Sequence, residues 1–246
     1  MTNIFIFIAC NADFGFVLDC SGSTDSHWER KLAFVKQLVK SINISPTGGR
    51  TSVTQFSTHA EVSIKFSDHT TLNGFETALD NLEHWHGTTK IEVGLELALN
   101  EMFKQSNGMR PNVPHNLVLI TDAQQTGVDF EDFRTRFNER EIRVLVILVG
   151  NVRKDDIRHF VNAEADLYVA NSFDELIDES FVQSITLCGG NMFLNLYKIL
   201  RLFMQPYKSQ IKLNINSMIF FTKSFYVNTW NRKYKSTLVS CRLKIK

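Results

Sequence analysis

The sequence predicts an α/β protein built on a doubly wound, mostly parallel six-stranded sheet, with one antiparallel edge strand and helices on both faces. Three observations carry that prediction. Short apolar runs of strand length alternate with amphipathic stretches of helix length over the first 188 residues, as they do where helices cross between parallel strands. Two of these runs, Phe14 to Leu18 and Leu117 to Ile120, lack polar alternation, the mark of strands buried on both faces, and both lead into an aspartate, Asp19 and Asp122. One pair of runs is separated by only Ser57-Thr58-His59, the length of a hairpin link, which supplies the antiparallel strand.

Each element follows from its own spacing. After the first strand, Phe14 to Leu18, a helix runs from about His27 to Ser41. Leu32, Val35, Leu38, Val39 and Ile42 form its buried stripe, while Arg30, Lys31, Lys36 and Lys40 take the other face. The helix gives way to the turn Pro46-Thr-Gly-Gly49. Thr51 to Phe56 and Ala60 to Phe66 are the hairpin strands. A helix through Phe75, Ala78, Leu79 and Leu82, a loop at Glu83 to Thr88 and a longer helix from Lys90 to Phe103 follow, the last with Ile91, Leu95, Ala98, Leu99 and Met102 on one face. Asn116 to Asp122 repeats the opening design. The chain continues with a helix at Phe130 to Arg140, a strand at Val144 to Val149, a short helix near Asp155 to Val161, a strand at Leu167 to Val169 and one final helix from Phe173 to Ile185.

At 246 residues, with 43% hydrophobic and 22% charged, the chain has a globular balance. Its formal net charge of +1 hides a division at Cys188. Residues 1–188 hold 16 Lys and Arg against all 26 Asp and Glu, a charge of −10, and residues 189–246 hold the other 11 Lys and Arg, a charge of +11. Charges of both signs normally intersperse in a folded segment. Three parts result: 1–11, a short apolar leader or truncated secretion signal without a basic n-region; 12–188, the folded domain; and 189–246, a basic tail. The tail reads as an appended stretch, such as translated non-coding sequence, or else as a cationic surface for lipid, heparin or nucleic acid. For the domain, no nucleic-acid partner and no transmembrane segment are expected.

Four cysteines without a Cys-x-x-Cys pair exclude a disulfide-built scaffold and a zinc ribbon. Cys10 and Cys188 flank the domain, and a bridge between them would constrain the unfolded chain by roughly 4 to 5 kcal/mol. The sequon Asn43-Ile-Ser45, in a turn-like stretch, is a candidate glycan acceptor.

Function concentrates at the first strand end. Asp19, Ser21 and Ser23 offer a carboxylate and two hydroxyls at alternate positions, with Gly22 permitting a tight bend. Such hard oxygens suit Mg²⁺, with Mn²⁺ or Ca²⁺ as neighbours in preference. Open doubly wound sheets bind ligands outside the carboxyl ends of the strands where the winding reverses. If the strands before Asp19 and Asp122 are neighbours, the Gly87-Thr88-Thr89 loop covers the crevice between them. Catalysis is not indicated. Ser21 stands where a dehalogenase-type phosphatase carries a second aspartate, and neither a nucleophile elbow nor a phosphate-binding glycine loop is present.

Asp19-Cys-Ser-Gly-Ser23, Gly87-Thr-Thr-Lys-Ile-Glu-Val-Gly-Leu95 and Leu117-Val-Leu-Ile-Thr-Asp122 occur in the order found in von Willebrand factor type A domains, which the chain resembles from about Ala12 to Cys188. The resemblance implies a Rossmann-like fold and a metal-ion-dependent adhesion site. The implied ligands are Asp19, Ser21, Ser23, Thr89 and Asp122. Thr89 is preferred to its neighbour Thr88 because the family's threonine lies six positions before a helix leucine, here Leu95. A Mg²⁺ held this way keeps an exchangeable position for a Glu or Asp of a protein partner, such as a collagen or another matrix protein. His86 and Thr88 then belong to the partner-binding rim. Cys20 and Ala123 depart from the family pattern without removing a ligand. The implied setting is extracellular; an intracellular scaffold in which the metal assists assembly is the alternative.

Overall fold

The computed structural model describes residues 11–122, 127–150, 154–185 and 187. The chain divides into two units, Met1–Cys188 and Gly189–Lys246, and every described residue lies in the first. The leader to Cys10, Cys188 and the basic tail lie outside the described residues, and so does the proposed bridge between the two cysteines.

Six strands form one sheet in the order β3-β2-β1-β4-β5-β6. They are β1 (Asp13–Asp19), β2 (Arg50–Phe56), β3 (Ala60–Ile64), β4 (His115–Thr121), β5 (Ile142–Val149) and β6 (Leu167–Ala170). All neighbours pair in parallel except β2 and β3, which form the antiparallel hairpin at one edge. The helices are α1 (Trp28–Val39), α2 (Leu72–Asp80), α3 (Ile91–Leu97), α4 (Phe130–Glu139), α5 (Lys154–Ile157), α6 (Phe173–Leu176) and α7 (Glu179–Ser184).

The central strands are buried on both faces, and their alternation divides two cores. Phe14, Phe16 and Leu18 of β1, Val118 and Ile120 of β4, and Leu145 and Ile147 of β5 pack with α1, α2 and α6. Val17, Leu117, Leu119, Val144 and Val146 pack on the other side with α3 and α4. The winding reverses between β1 and β4, where Leu18 lies beside Ile120. Asp19 and Asp122 therefore leave the sheet at the same end of adjacent strands.

Two expectations need correction, and the loop before α1 takes on helical form. The segment after β1 begins as a 3-10 helix, Gly22–His27, and only then becomes α1, so the first helical turns wrap the strand end. Lys31 does not lie on the outer face of α1 but is fully buried, because it starts the inward stripe that Phe34, Val35 and Leu38 continue at spacings of three, four and seven. The final helix is two helices. Asp178 is extended, and its carboxylate accepts from the Ser180 amide at 2.8 Å, capping α7 anew where one continuous helix was expected.

The helix over Lys90 to Phe103 is also irregular. After α3 it widens into a π-helical turn, Ala98–Met102. That turn lays Met102 on β1 where Gly15 has no side chain; a Cβ there would sit 2.3 Å from the Met102 Cε.

Candidate metal centre

The site begins with a short carboxylate loop. Asp19 ends β1 fully buried, and its Oδ1 accepts from the Ser21 amide at 2.9 Å and from the Ser21 hydroxyl at 2.6 Å. This local turn is the alternative to helix that aspartate followed by serine favours. From the adjacent strand, the Thr121 hydroxyl donates to Asp19 Oδ2 at 3.2 Å. Asp122 follows at once, also buried.

The threonine loop closes from the other side. Thr89 is half-buried and donates from Oγ1 to Ser21 Oγ at 2.9 Å, joining the two loops through hydroxyls. Thr88 turns away. Its amide donates to Thr58 Oγ1 at 3.1 Å, and the two threonine hydroxyls lie 3.2 Å apart. The geometry thus separates two adjacent threonines into one that meets the serine and one that anchors the loop to the hairpin.

Glycine acts here at a different position from the one expected. Gly22 lies in the 3-10 turn, and a Cβ on it would meet nothing nearer than the Gly87 carbonyl at 3.6 Å. Its contribution is a latch, its amide donating to Gly87 O at 3.0 Å. Gly87 is the constrained one, with φ at +120° and Thr58 Oγ1 only 2.5 Å from where a Cβ would stand. Ser23 has its backbone in the same 3-10 turn; its side chain, and Ala123, lie outside the described residues.

Beneath the loop lies the group that the sequence reading put on the surface. Lys31 Nζ donates to the Asp19 carbonyl at 2.5 Å and lies 5.7 Å from the centre of the Phe173 ring. Burial pulls its ammonium below the usual lysine range, while the charges of Asp19 and Asp122 oppose that shift. Cys20 points into the core, accepts from Gln55 Nε2 at 3.0 Å, and has its thiol pushed up to about 11 by burial.

The rim is aromatic. Trp28 is buried and tilts against His84 at 5.2 Å, His84 meets the edge of His86 at 5.4 Å, and Trp85 stacks on His59 at 4.6 Å. His86 and Thr88 are exposed beside the Thr89 loop. His27 stacks on Phe173 at 4.2 Å, a packing role rather than a rim role.

The donor set fits a hard divalent cation: two carboxylates and the hydroxyls of Ser21 and Thr89, all oxygen, gathered at the switch point. Among the described residues, no three His, Cys, Asp or Glu side chains group together, so the hydroxyls are needed to complete the donor set. Residues 13–182 match the von Willebrand factor type A domain. The chain belongs to that family. Relatives of this type A domain include von Willebrand factor A domain-containing protein 1 of Danio rerio, 26% identical over 72% of this chain and 36% of the relative. Matrilin-4 of Mus musculus is 24% identical over 67% of this chain and 27% of the relative. The type A domain thus spans less than two fifths of either. Proximal thread matrix protein 1 from the mussel byssus shares its fold, with a TM-score of 0.63 and 26% identity over 71% of this chain and 46% of that one. That structure has a zinc-occupied metal-ion-dependent adhesion motif. A type A domain is an adhesion and protein-binding fold with a divalent-metal site.

Sequence reasoning missed two residues of the site. Thr121 was legible only through the parallel register that sets it beside Asp19. Lys31 had a signal, its helical spacing to Leu38, which its charge obscured.

Proposed function

We propose that this type A domain is an extracellular adhesion module that captures a carboxylate of a matrix protein through Mg²⁺ held by Asp19, Ser21, Ser23, Thr89 and Asp122. The observation that carries the reading is the hydroxyl bridge from Thr89 to Ser21, with Ser21 in turn donating to Asp19. The hydroxyls of Ser21 and Thr89, now paired with each other and with Asp19, would offer their oxygen lone pairs to the cation. Mg²⁺ supplies a Lewis-acid position that an incoming Glu or Asp carboxylate completes.

The chain's own residues do the rest. Ser21 and Thr121 fix the Asp19 carboxylate, and the Gly22 to Gly87 latch holds the two loops together. His86 and Thr88 meet the partner at the rim. A matrix partner such as a collagen is favoured by the similarity to matrilin-4 and by the matrix setting of the byssal thread protein. Mn²⁺ and Ca²⁺ are the expected substitutes. In the same reading the domain performs no catalysis, Cys10 and Cys188 are bridged, and Asn43 carries a glycan. Asn43 is exposed, with φ at +57°. Among the described residues no helix is long and apolar enough to cross a membrane.

The test is capture from matrix extracts on immobilised protein, with Mg²⁺ and with chelator. Wild type should retain a partner only with Mg²⁺, and Asp19→Ala should retain none while keeping its far-UV circular dichroism. Equal retention by wild type with chelator would overturn the mechanism.

A further inference from the structure

Lys31 is the one lysine among the described residues that is fully buried, and it lies directly under the carboxylate loop. Burying an ammonium is costly unless its surroundings compensate. Here they offset part of it: the Asp19 carbonyl accepts from Nζ at 2.5 Å, the face of Phe173 lies 5.7 Å away, and the charges of Asp19 and Asp122 oppose the downward pull of burial, which still prevails. An apolar side chain on this stripe of α1 would avoid that cost, as Phe34, Val35 and Leu38 do. The position therefore places a positive charge where packing alone requires none.

Its effect follows from charge. Asp19 and Asp122 bring two negative charges, which a divalent cation would cancel. With Lys31 beneath them the loaded centre is left with one net positive charge, in a region of low dielectric where charge counts for more than in water. We propose that Lys31 is a specificity-determining residue of this site: its ammonium weakens the hold on the divalent cation and strengthens the capture of an anionic carboxylate. The inference rests on the metal-dependent reading of the Asp19 loop. It also gives Lys31 a role in the metal-free protein, where it moderates repulsion between the two aspartates.

The two consequences have opposite signs, which separates a charge effect from structural damage. A distorted loop would bind both cation and carboxylate less well. Loss of the charge alone should tighten the first and loosen the second, and the dication, with twice the charge, should respond more strongly.

The experiment uses the full chain as wild type, Lys31→Met, Lys31→Gln and Lys31→Arg. Mn²⁺ affinity is measured by electron paramagnetic resonance of the free ion. Acetate, at constant ionic strength, is then titrated into the Mn²⁺-loaded protein, and displacement of bound water is read from water-proton relaxation. Lys31→Met should bind Mn²⁺ roughly tenfold tighter or more and acetate several-fold more weakly, the size expected of one nearby charge. Lys31→Gln keeps a donor for the Asp19 carbonyl and should shift in the same directions, which covers the case in which the methionine variant does not fold. Lys31→Arg should behave as wild type. Unchanged affinities in both neutral variants, or a parallel weakening of Mn²⁺ and acetate, would overturn the role of Lys31 and leave the metal site standing. Failure of wild type to bind Mn²⁺ would overturn both.

Discussion

Strand β1 begins and ends on a fully buried aspartate, and the two ends of the strand treat it in opposite ways. Asp13 is met by Arg110, whose Nε and Nη2 donate to Oδ1 at 2.8 and 2.6 Å while its own backbone amide donates to Oδ2 at 2.7 Å. The same guanidinium reaches Asn11 and the Ala12 carbonyl, and His115 lies 2.8 Å from the Arg110 carbonyl. Asp19, six residues on, is met by Ser21 and Thr121, and the nearby cation, Lys31, donates to its carbonyl. At one end a forked cation saturates the carboxylate and closes the base of the sheet. At the other, hydroxyls orient the carboxylate without neutralising it. Burial alone thus does not separate an aspartate held by an ion pair from one in the proposed metal centre; the charge of its donors does.

The comparison breaks most visibly if Arg110 is removed. Arg110→Ala leaves the Asp13 carboxylate buried without its cation, and should cost about 3 to 5 kcal/mol by urea unfolding. Divalent-cation affinity at the opposite end should change less than twofold. A large loss of metal binding would mean that the two ends are not independent.

Next in size is the response to metal. At a hundred times the dissociation constant, Mg²⁺ should stabilise wild type and Arg110→Ala alike by about 2.7 kcal/mol through mass action. Asp19→Asn keeps the shape of the loop and should show no such gain. Differential scanning fluorimetry with Mg²⁺ and with chelator reads all three.

A smaller effect distinguishes the two threonines. Thr89→Val removes the hydroxyl bonded to Ser21, which should lower stability by about 1 kcal/mol and weaken Mn²⁺ binding by at least tenfold. Thr88→Val loses the contact with Thr58, which should cost similar stability and leave Mn²⁺ affinity within twofold.

The smallest concerns Cys20, which lies beside Asp19 but faces the core. Burial raises its thiol from an ordinary value of 9.0 to about 11. A raised folded value means stability that is full below pH 9 and is lost as pH rises toward 11. Native protein at pH 8 should leave Cys20 unlabelled by iodoacetamide, and unfolded protein should label it fully. Rapid native labelling would place the thiol in the metal crevice.

Much of this fold was legible because period and burial coincide. The apolar runs of β1, β4 and β5 are continuous since both faces pack, and helices α1 and α4 keep a stripe of period 3.6 against them. Asp19 and Asp122 stood out in the sequence because an aspartate at the end of a buried strand has no packing reason to be there, and the structure sets both at the same end of adjacent strands. The failures share another cause. Lys31 was read by its charge rather than by its place on the stripe, and the break between α6 and α7 depends on a cap, Asp178, no stronger in sequence than its acidic neighbours. Nothing in the chain near residue 98 announces the π turn that seats Met102 over Gly15.

The sequence by itself determined the strand and helix order, the two carboxylates and the hydroxyl motif, because these depend on local periodicity and on residue chemistry. Only the tertiary structure decided which threonine meets Ser21, that Thr121 holds Asp19, that Gly87 rather than Gly22 is the conformationally constrained glycine, and that a lysine lies under the site. Those outcomes depend on the register between β1 and β4 and on the docking of α1 against α6. Both bring together side chains far apart in the chain, and no local pattern encodes that distance.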